Sequence, residues 1–178
     1  DAFTGNDRPP LDLDLEIGDL VAWSRRFGAM RVAGRSDAQG TELTLDGTAA
    51  VGRIEMPPGA RHGVTAQFER LYLPESTSDA PPTAVDPAAL PPIHFWARDA
   101  RLGEAELGEI RIETYPQGAG MHLERIEANS PNLELRGRGD WVVAAGVQHT
   151  TMDVTFTAES LGRMLDTLPE RLALARQQ

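Results

Sequence analysis

The segment Leu11-Asp12-Leu13-Asp14-Leu15-Glu16-Ile17 alternates apolar and acidic residues without a fault over seven positions. Side chains of a β-strand point to opposite faces with period two, so this pattern specifies a strand with one face for a core and one for water. At ~3.3 Å per residue it runs roughly 20 Å. Weaker alternation at 29–34, 42–46, 52–56 and 63–73 predicts further strands. Within the last of these, Val64, Ala66 and Phe68 share one parity and Leu71 and Leu73 the other, which predicts a β-bulge near Glu69-Arg70. The strand pattern resumes at 93–97, 109–114, 121–128, 132–137, 141–144 and 150–157.

Helical spacing is confined to a few places. Leu161, Met164, Leu165 and Leu168 fit an i, i+3, i+4, i+7 face, and Thr167 with Pro169 can start a second turn carrying Leu172. A shorter helix is predicted over Leu20–Phe27, with Asp19 as N-cap and Gly28 as its stop. Between the two sets of strands, residues 74–92 hold six prolines, which forbid a helix or a central strand and predict an extended linker over the surface.

A shift of 80 residues brings the two halves into one register. It aligns Leu13 with Ile93, Leu15 with Phe95, Asp19 with Asp99, and Leu43 with Leu123. It also superposes Phe27-Gly28-Ala29-Met30-Arg31-Val32 on Leu107-Gly108-Glu109-Ile110-Arg111-Ile112. The expected organisation is therefore a tail at 1–10, a β-repeat unit at 11–73, the Pro-rich linker at 74–92, a second β-repeat unit at 93–157 and a C-terminal helical segment at 158–178.

Charge narrows the function. The 178 residues carry 27 acidic against 17 basic side chains, all of the latter arginine, for a formal net charge of -10. Without a basic cluster, binding of nucleic acid or of anionic headgroups through a polybasic patch is excluded. The absence of cysteine removes thiol catalysis, disulfides and thiolate zinc sites. No run approaches 18 apolar residues, and the N-terminus has neither Met nor a hydrophobic signal region, so the chain reads as a piece of a longer or processed protein.

Few motifs carry chemistry. The four histidines show no metal-ligand spacing, and His94 lies on the polar parity of its strand as a solvated or aromatic-packed ring. The carboxylates Asp12, Asp14 and Glu16 sit ~7 Å apart, too far to share one cation, and read as a solvated outer face. There is no nucleophile elbow and no phosphate-cradling glycine loop. A two-carboxylate hydrolase stays open in principle, although no particular pair stands out. No catalytic residue, metal or cofactor is expected. The apolar parity carries the remaining information: Leu13, Leu15, Met30, Val32, Leu43, Ile54, Phe68, Ile93, Phe95, Ile110, Ile112, Leu123, Leu135, Val154 and Phe156. These residues form either a closed sandwich core or a sheet face left partly open to an apolar ligand.

Several stretches carry a family resemblance in their order and spacing. They are Gln39–Leu45 followed by Val51–Pro57, Phe68–Pro74, Asp86–Ile93, Leu107–Ile112, Leu123–Glu127, Ser130–Gly137, Gly139–Trp141 and Glu159–Leu168. Together they resemble the AsmA-like proteins of Gram-negative bacteria, specifically the YhdP branch, from about Leu11 to Leu168. From Pro169 to Gln178 the chain departs from the repeat pattern. The resemblance implies β-strand repeats in an elongated sheet bent around a hydrophobic groove, and with the strand and helix spacing above the expected fold is mainly β: repeated antiparallel β-meanders in a curved, groove-like, taco-shaped sheet with short helices, including one at the C-terminus. It further implies an inner-membrane-anchored periplasmic protein that carries phospholipid towards the outer membrane. The expected partners are phospholipid acyl chains and neighbouring repeats of the same longer chain. The alternative is a non-catalytic β-repeat scaffold that binds envelope proteins through its strand edges.

Overall fold

The computed structural model describes residues 10–22, 24–59, 62–76, 85–144 and 147–158. Ten strands follow one another: β1 (Leu11–Ala22), β2 (Arg25–Asp37), β3 (Gly40–Gly47), β4 (Ala50–Met56), β5 (Val64–Leu73), β6 (Ile93–Leu102), β7 (Ala105–Gln117), β8 (Gly120–Ser130), β9 (Leu133–Ala144) and β10 (Val147–Ala158). They form a single sheet in chain order, so each strand lies beside its sequence neighbours and β1 and β10 are its edges. All neighbouring pairs are antiparallel except β5 and β6, which run parallel.

A parallel pair cannot be joined by a hairpin, and residues 74–92 supply the crossover that it needs. Among its described residues Glu75, Ser76, Val85, Asp86, Ala88 and Ala89 are exposed, as a surface segment requires, and Pro87 alone is buried. A 3₁₀ turn, Pro87–Ala89, is capped by the Asp86 carboxylate, which accepts from the Ala88 N–H at 3.0 Å. Pro87 is fully buried, and the turn packs on β7, β8 and β9. Proline has no N–H to leave unpaired, so Pro87 can be buried against the sheet without stranding a donor. The Gln148 amide donates to the Val85 carbonyl at 2.8 Å and ties the crossover to β10.

The helix expected at Leu20–Phe27 is absent: Leu20, Val21 and Ala22 pair in β1 with Gly28, Arg26 and Arg25 of β2. The cap-and-stop signals belong to a double bulge. Gly18 and Asp19 oppose one residue of β2, then Phe27 of β2 has no partner in β1. Gly28 adopts φ +74°, which serves a bulge as readily as a helix stop. The same device recurs after 80 residues. Register breaks at Ile17/Leu20 and Leu20/Val21 in the first pair of strands, and at Ala97/Ala100 and Ala100/Arg101 in β6–β7. Gly108, with φ +69°, stands where Gly28 stands. The bounds of β2, shifted by 80, fall on those of β7.

The bulge expected near Glu69-Arg70 is present: Val51 pairs with Arg70 and Gly52 with Phe68, leaving Glu69 over. By contrast, the strands expected at 132–137 and 141–144 are one strand, β9. Gly139, in the gap between the two expected stretches, lies within the ladder, where a Cβ would stand 2.1 Å from the Thr151 carbonyl oxygen. The helical pattern at Leu161–Leu172 lies outside the described residues.

The core occupies one side of the sheet centre. Phe27, Met30, Ala49, Ala50, Ala66, Phe68, Ala97 and Ala100 form a buried cluster, with Leu20, Leu71, Leu73 and Phe95 packed on it. At one end β2 and β5 extend past the short β3–β4 tip. There the Tyr72 N–H donates to the Ala49 carbonyl at 2.7 Å, and the Arg25 guanidinium donates to the Pro74 carbonyl. Three strand spacings would separate β2 from β5 by roughly 14 Å in a flat sheet, beyond the reach of one arginine, so the sheet bends here.

Gly108→Ala should cost about 3 kcal/mol, because its Cβ would lie 2.1 Å from the Asn129 carbonyl oxygen at a positive φ. Gly18→Ala, with nothing within 4 Å, should stay within about 0.5 kcal/mol of the parent in urea titrations.

Candidate functional site

Strand pairing places residues in rows across the sheet. One row runs Leu13, Gly34, Leu43, Ile54, Ala66, Phe95, Ile112, Ile126, Gly137, Val154, with one residue from each strand and each paired with the next. The adjacent row runs Leu15, Val32, Leu45, Gly52, Phe68, Ala97, Ile110, Ala128, Leu135, Phe156. Neither row contains a polar side chain. Nine inter-strand spacings make each about 43 Å long.

The remaining candidates fall on the same face. Met30 pairs with Ile17 and Gly47, Ile93 with Val64 and Thr114, and Leu123 with Thr114 and Gly139. All fifteen sequence-predicted positions therefore share one side of the sheet. Sequence reasoning missed Leu45, Ala97, Ile126 and Ala128, whereas Ala66 lies with Val64 and Phe68 as their shared parity predicts. Leu45 and Ile126 had the parity to be found, whereas an alanine or glycine on a strand gives no sign of its face. Gly52 matters through what it lacks, since a Cβ there would stand 2.4 Å from the Phe68 ring.

Exposure grades across this face. At the centre Phe68 and Met30 are buried, and Phe68 meets Phe95 with ring centroids 5.8 Å apart. Val32, Leu43, Ile54, Ile93, Ile110, Ile112, Leu123 and Leu135 are half-buried. At the edges Leu15 is 45% exposed and Leu13 36%, and across the sheet Val154 is 44% and Phe156 48% exposed. The 3₁₀ turn covers part of the face over β7–β9. The fifteen positions thus divide into a structural centre and two solvent-facing margins.

The opposite face is ionic. Asp14 and Arg31 form a two-point contact at 2.7 and 2.9 Å, and this hydrogen-bonded arginine holds the Asp14 carboxyl below its usual range. Arg53 meets Glu42 at 3.3 Å, Arg98 meets Glu69 at 3.0 Å, and Arg136 meets Glu134 at 2.8 Å. Exposed pairs add little stability each, but they fix which face is solvated. His94 packs edge-on to Tyr115 at 5.7 Å. His122 lies between Asp140 at 2.7 Å and Glu124 at 3.3 Å, and the hydrogen bond to Asp140 raises its pKa.

A two-carboxylate hydrolase needs one acid with a raised pKa. Asp14 and Glu109 are instead pulled down, the former by Arg31 and the latter by Trp96 and then Arg111. Among the described residues no group of His, Asp and Glu has the arrangement to hold a metal ion. Among the same residues, no helix is long and apolar enough to cross a membrane.

These features define a class: an open, single-sheet β-meander with one apolar and one ion-paired face, whose strand plan repeats. The chain belongs to the YhdP family, whose model, described as YhdP protein, matches residues 3–176. No curated protein and no solved structure matches the chain.

Phe68→Ala should cost about 3–5 kcal/mol in urea unfolding, and Phe156→Ala about 1 kcal/mol or less, because only the first empties a packed site. His122 adds a pH-dependent term. Its folded pKa lies above the unfolded value, so its contribution is complete in acid and is lost as pH rises through the folded pKa. The stability lost in His122→Gln should therefore be larger near about pH 5.5 than near about pH 8.5 by chemical denaturation.

Proposed function

We propose that the apolar face carries phospholipid acyl chains, and that the protein conducts phospholipid between the inner and outer membranes as part of an inner-membrane-anchored periplasmic chain. The observation that supports this most is the pair of unbroken apolar rows crossing all ten strands, with their ends left exposed. Each row is nearly three times the ~15 Å thickness of one bilayer leaflet's hydrocarbon. Family membership supports the same reading, because the AsmA-like families are lipid-transport families.

On this reading the process is passive and non-catalytic. Acyl chains lie along Leu13, Leu15, Val154 and Phe156 at the margins, while headgroups stay in water beyond the sheet. Each buried CH₂ contributes ~0.8 kcal/mol, and rows of similar side chains give neighbouring sites of similar affinity between which a lipid can slide. On this reading the bend at the β2–β5 end curves the apolar face towards a groove. The same transport would maintain the outer-membrane permeability barrier.

A second reading, a scaffold pairing with envelope proteins or with neighbouring repeats of the same chain, is favoured by one observation. Among the described residues the outer edges of β1 and β10 have no strand partner, and such edges are templates for pairing.

A photo-crosslinking residue at Leu15 or Phe156 should capture phospholipid in cells, detected by mass spectrometry after extraction. The same probe at Asp12 or Thr155, on the ionic face, should capture none. Equal capture at all four positions, or capture of protein alone at Leu15 and Phe156, would remove the lipid reading in favour of the scaffold.

A further inference from the structure

The ionic face has one region of different character. On β5, β6 and β7 a shallow depression of about 300 Å³ is lined by Thr65, Gln67, His94, Phe95, Trp96, Arg111 and Glu113. The Trp96 indole N–H donates to Glu109 Oε1 at 2.8 Å, and the Arg98 guanidinium stands 5.9 Å from the indole centroid. Arg111 also donates to Glu109 Oε1, at 2.8 and 3.1 Å. These bonds keep the Glu109 carboxyl ionised and hold the indole in one orientation. On the other side of the depression His94 is braced by Tyr115. Two aromatic side chains are thus fixed in advance on an otherwise charged sheet face, which lowers the ordering cost of binding.

The charges at this place are already paired. Arg111 is matched by Glu109 at 2.8 Å, and Glu113 by Arg125 at 3.5 Å. An anion gains no free cation here, and an ammonium ligand gains no free carboxylate. What remains available is neutral: the Thr65 hydroxyl and Gln67 amide, which have no side-chain hydrogen bond among the described residues, the His94 ring nitrogens, and the aromatic surface of Trp96. A ligand matching this set has many hydroxyls, no net charge and a flat apolar C–H face to lie on an indole. From this geometry we infer a binding site for a neutral pyranose ring, centred on Trp96, His94 and Gln67 on the ionic face. Apart from Phe95, whose side chain belongs to the apolar rows, the lining residues lie on the ionic side, because alternate residues of β5, β6 and β7 point to opposite sides.

The test is calorimetric titration of the whole chain with cellotriose and with N,N′,N″-triacetylchitotriose, and with inorganic phosphate alongside. Saturable binding of at least one trisaccharide in the range of about 0.1–10 mM is expected, with none for phosphate. Gln67→Ala, an exposed position on the face outside the core, should weaken that binding about tenfold, and Trp96→Phe should weaken it similarly. Thr155→Ala, an exposed position on β10 away from the depression, should leave it unchanged, and circular dichroism establishes that each variant is folded. The inference is overturned if neither trisaccharide saturates by about 20 mM, if phosphate saturates in their place, or if folded Gln67→Ala binds as the parent does.

Discussion

Parity is the constraint on which the rest depends. In a sheet buried on one side only, a slip of one residue in any pairing would turn a whole strand's apolar set into water and its carboxylates into the core. Here nine successive pairings keep Leu13's row and Leu15's row on one side from edge to edge. The ion pairs of the other face reinforce the same registers, since Asp14 with Arg31 and Glu42 with Arg53 join neighbouring strands. Hydrophobic burial supplies the free energy, and the arginine–carboxylate contacts make the alternative registers unfavourable.

The bulges are where parity is interrupted without being lost. Opposite Gly28 and Gly108 the two strands each gain an unpaired residue, one after the other, so alternation resumes in phase while twist increases. The unpaired residues are Phe27 and Leu107, and both join the central cluster. A double bulge repeated after 80 residues, with the same glycine conformation and an apolar residue at the same place, means that the two halves solve one geometric problem in one way. The parallel β5–β6 contact then joins one five-strand plan to the next, with the Pro-rich crossover spanning the return.

Much of this was legible from alternation alone. The strands, the Glu69 bulge and the shared side of all fifteen apolar positions follow from period two, because tertiary pairing respects it. The failures have local causes. Asp19 and Gly28 signal a helix's two ends as well as they signal a bulge's two sides, and only the facing strand decides between them. Alternation lapses between 137 and 141, and only the pairing of Gly139 with Met152 of β10 shows that the strand continues through it. Six prolines exclude regular structure in the crossover, but they do not say whether it lies in water or, as Pro87 does, against the sheet. Whether an apolar position is core or margin depends on its distance from the sheet edge, a property of the strand order that no single strand contains.

The gradient from centre to edge has an energetic consequence. Residues such as Phe68 and Ala97 stabilise the sheet through their own neighbours, whereas Leu15 and Phe156 leave much of their apolar area in water. Any group that covers those margins binds the folded sheet and not the unfolded chain, and so stabilises it by mass action. A closed barrel would have removed that sensitivity by pairing β1 with β10. An open sheet retains it, and places its least satisfied apolar surface at the two edges, where an apolar group would be covered without displacing the core.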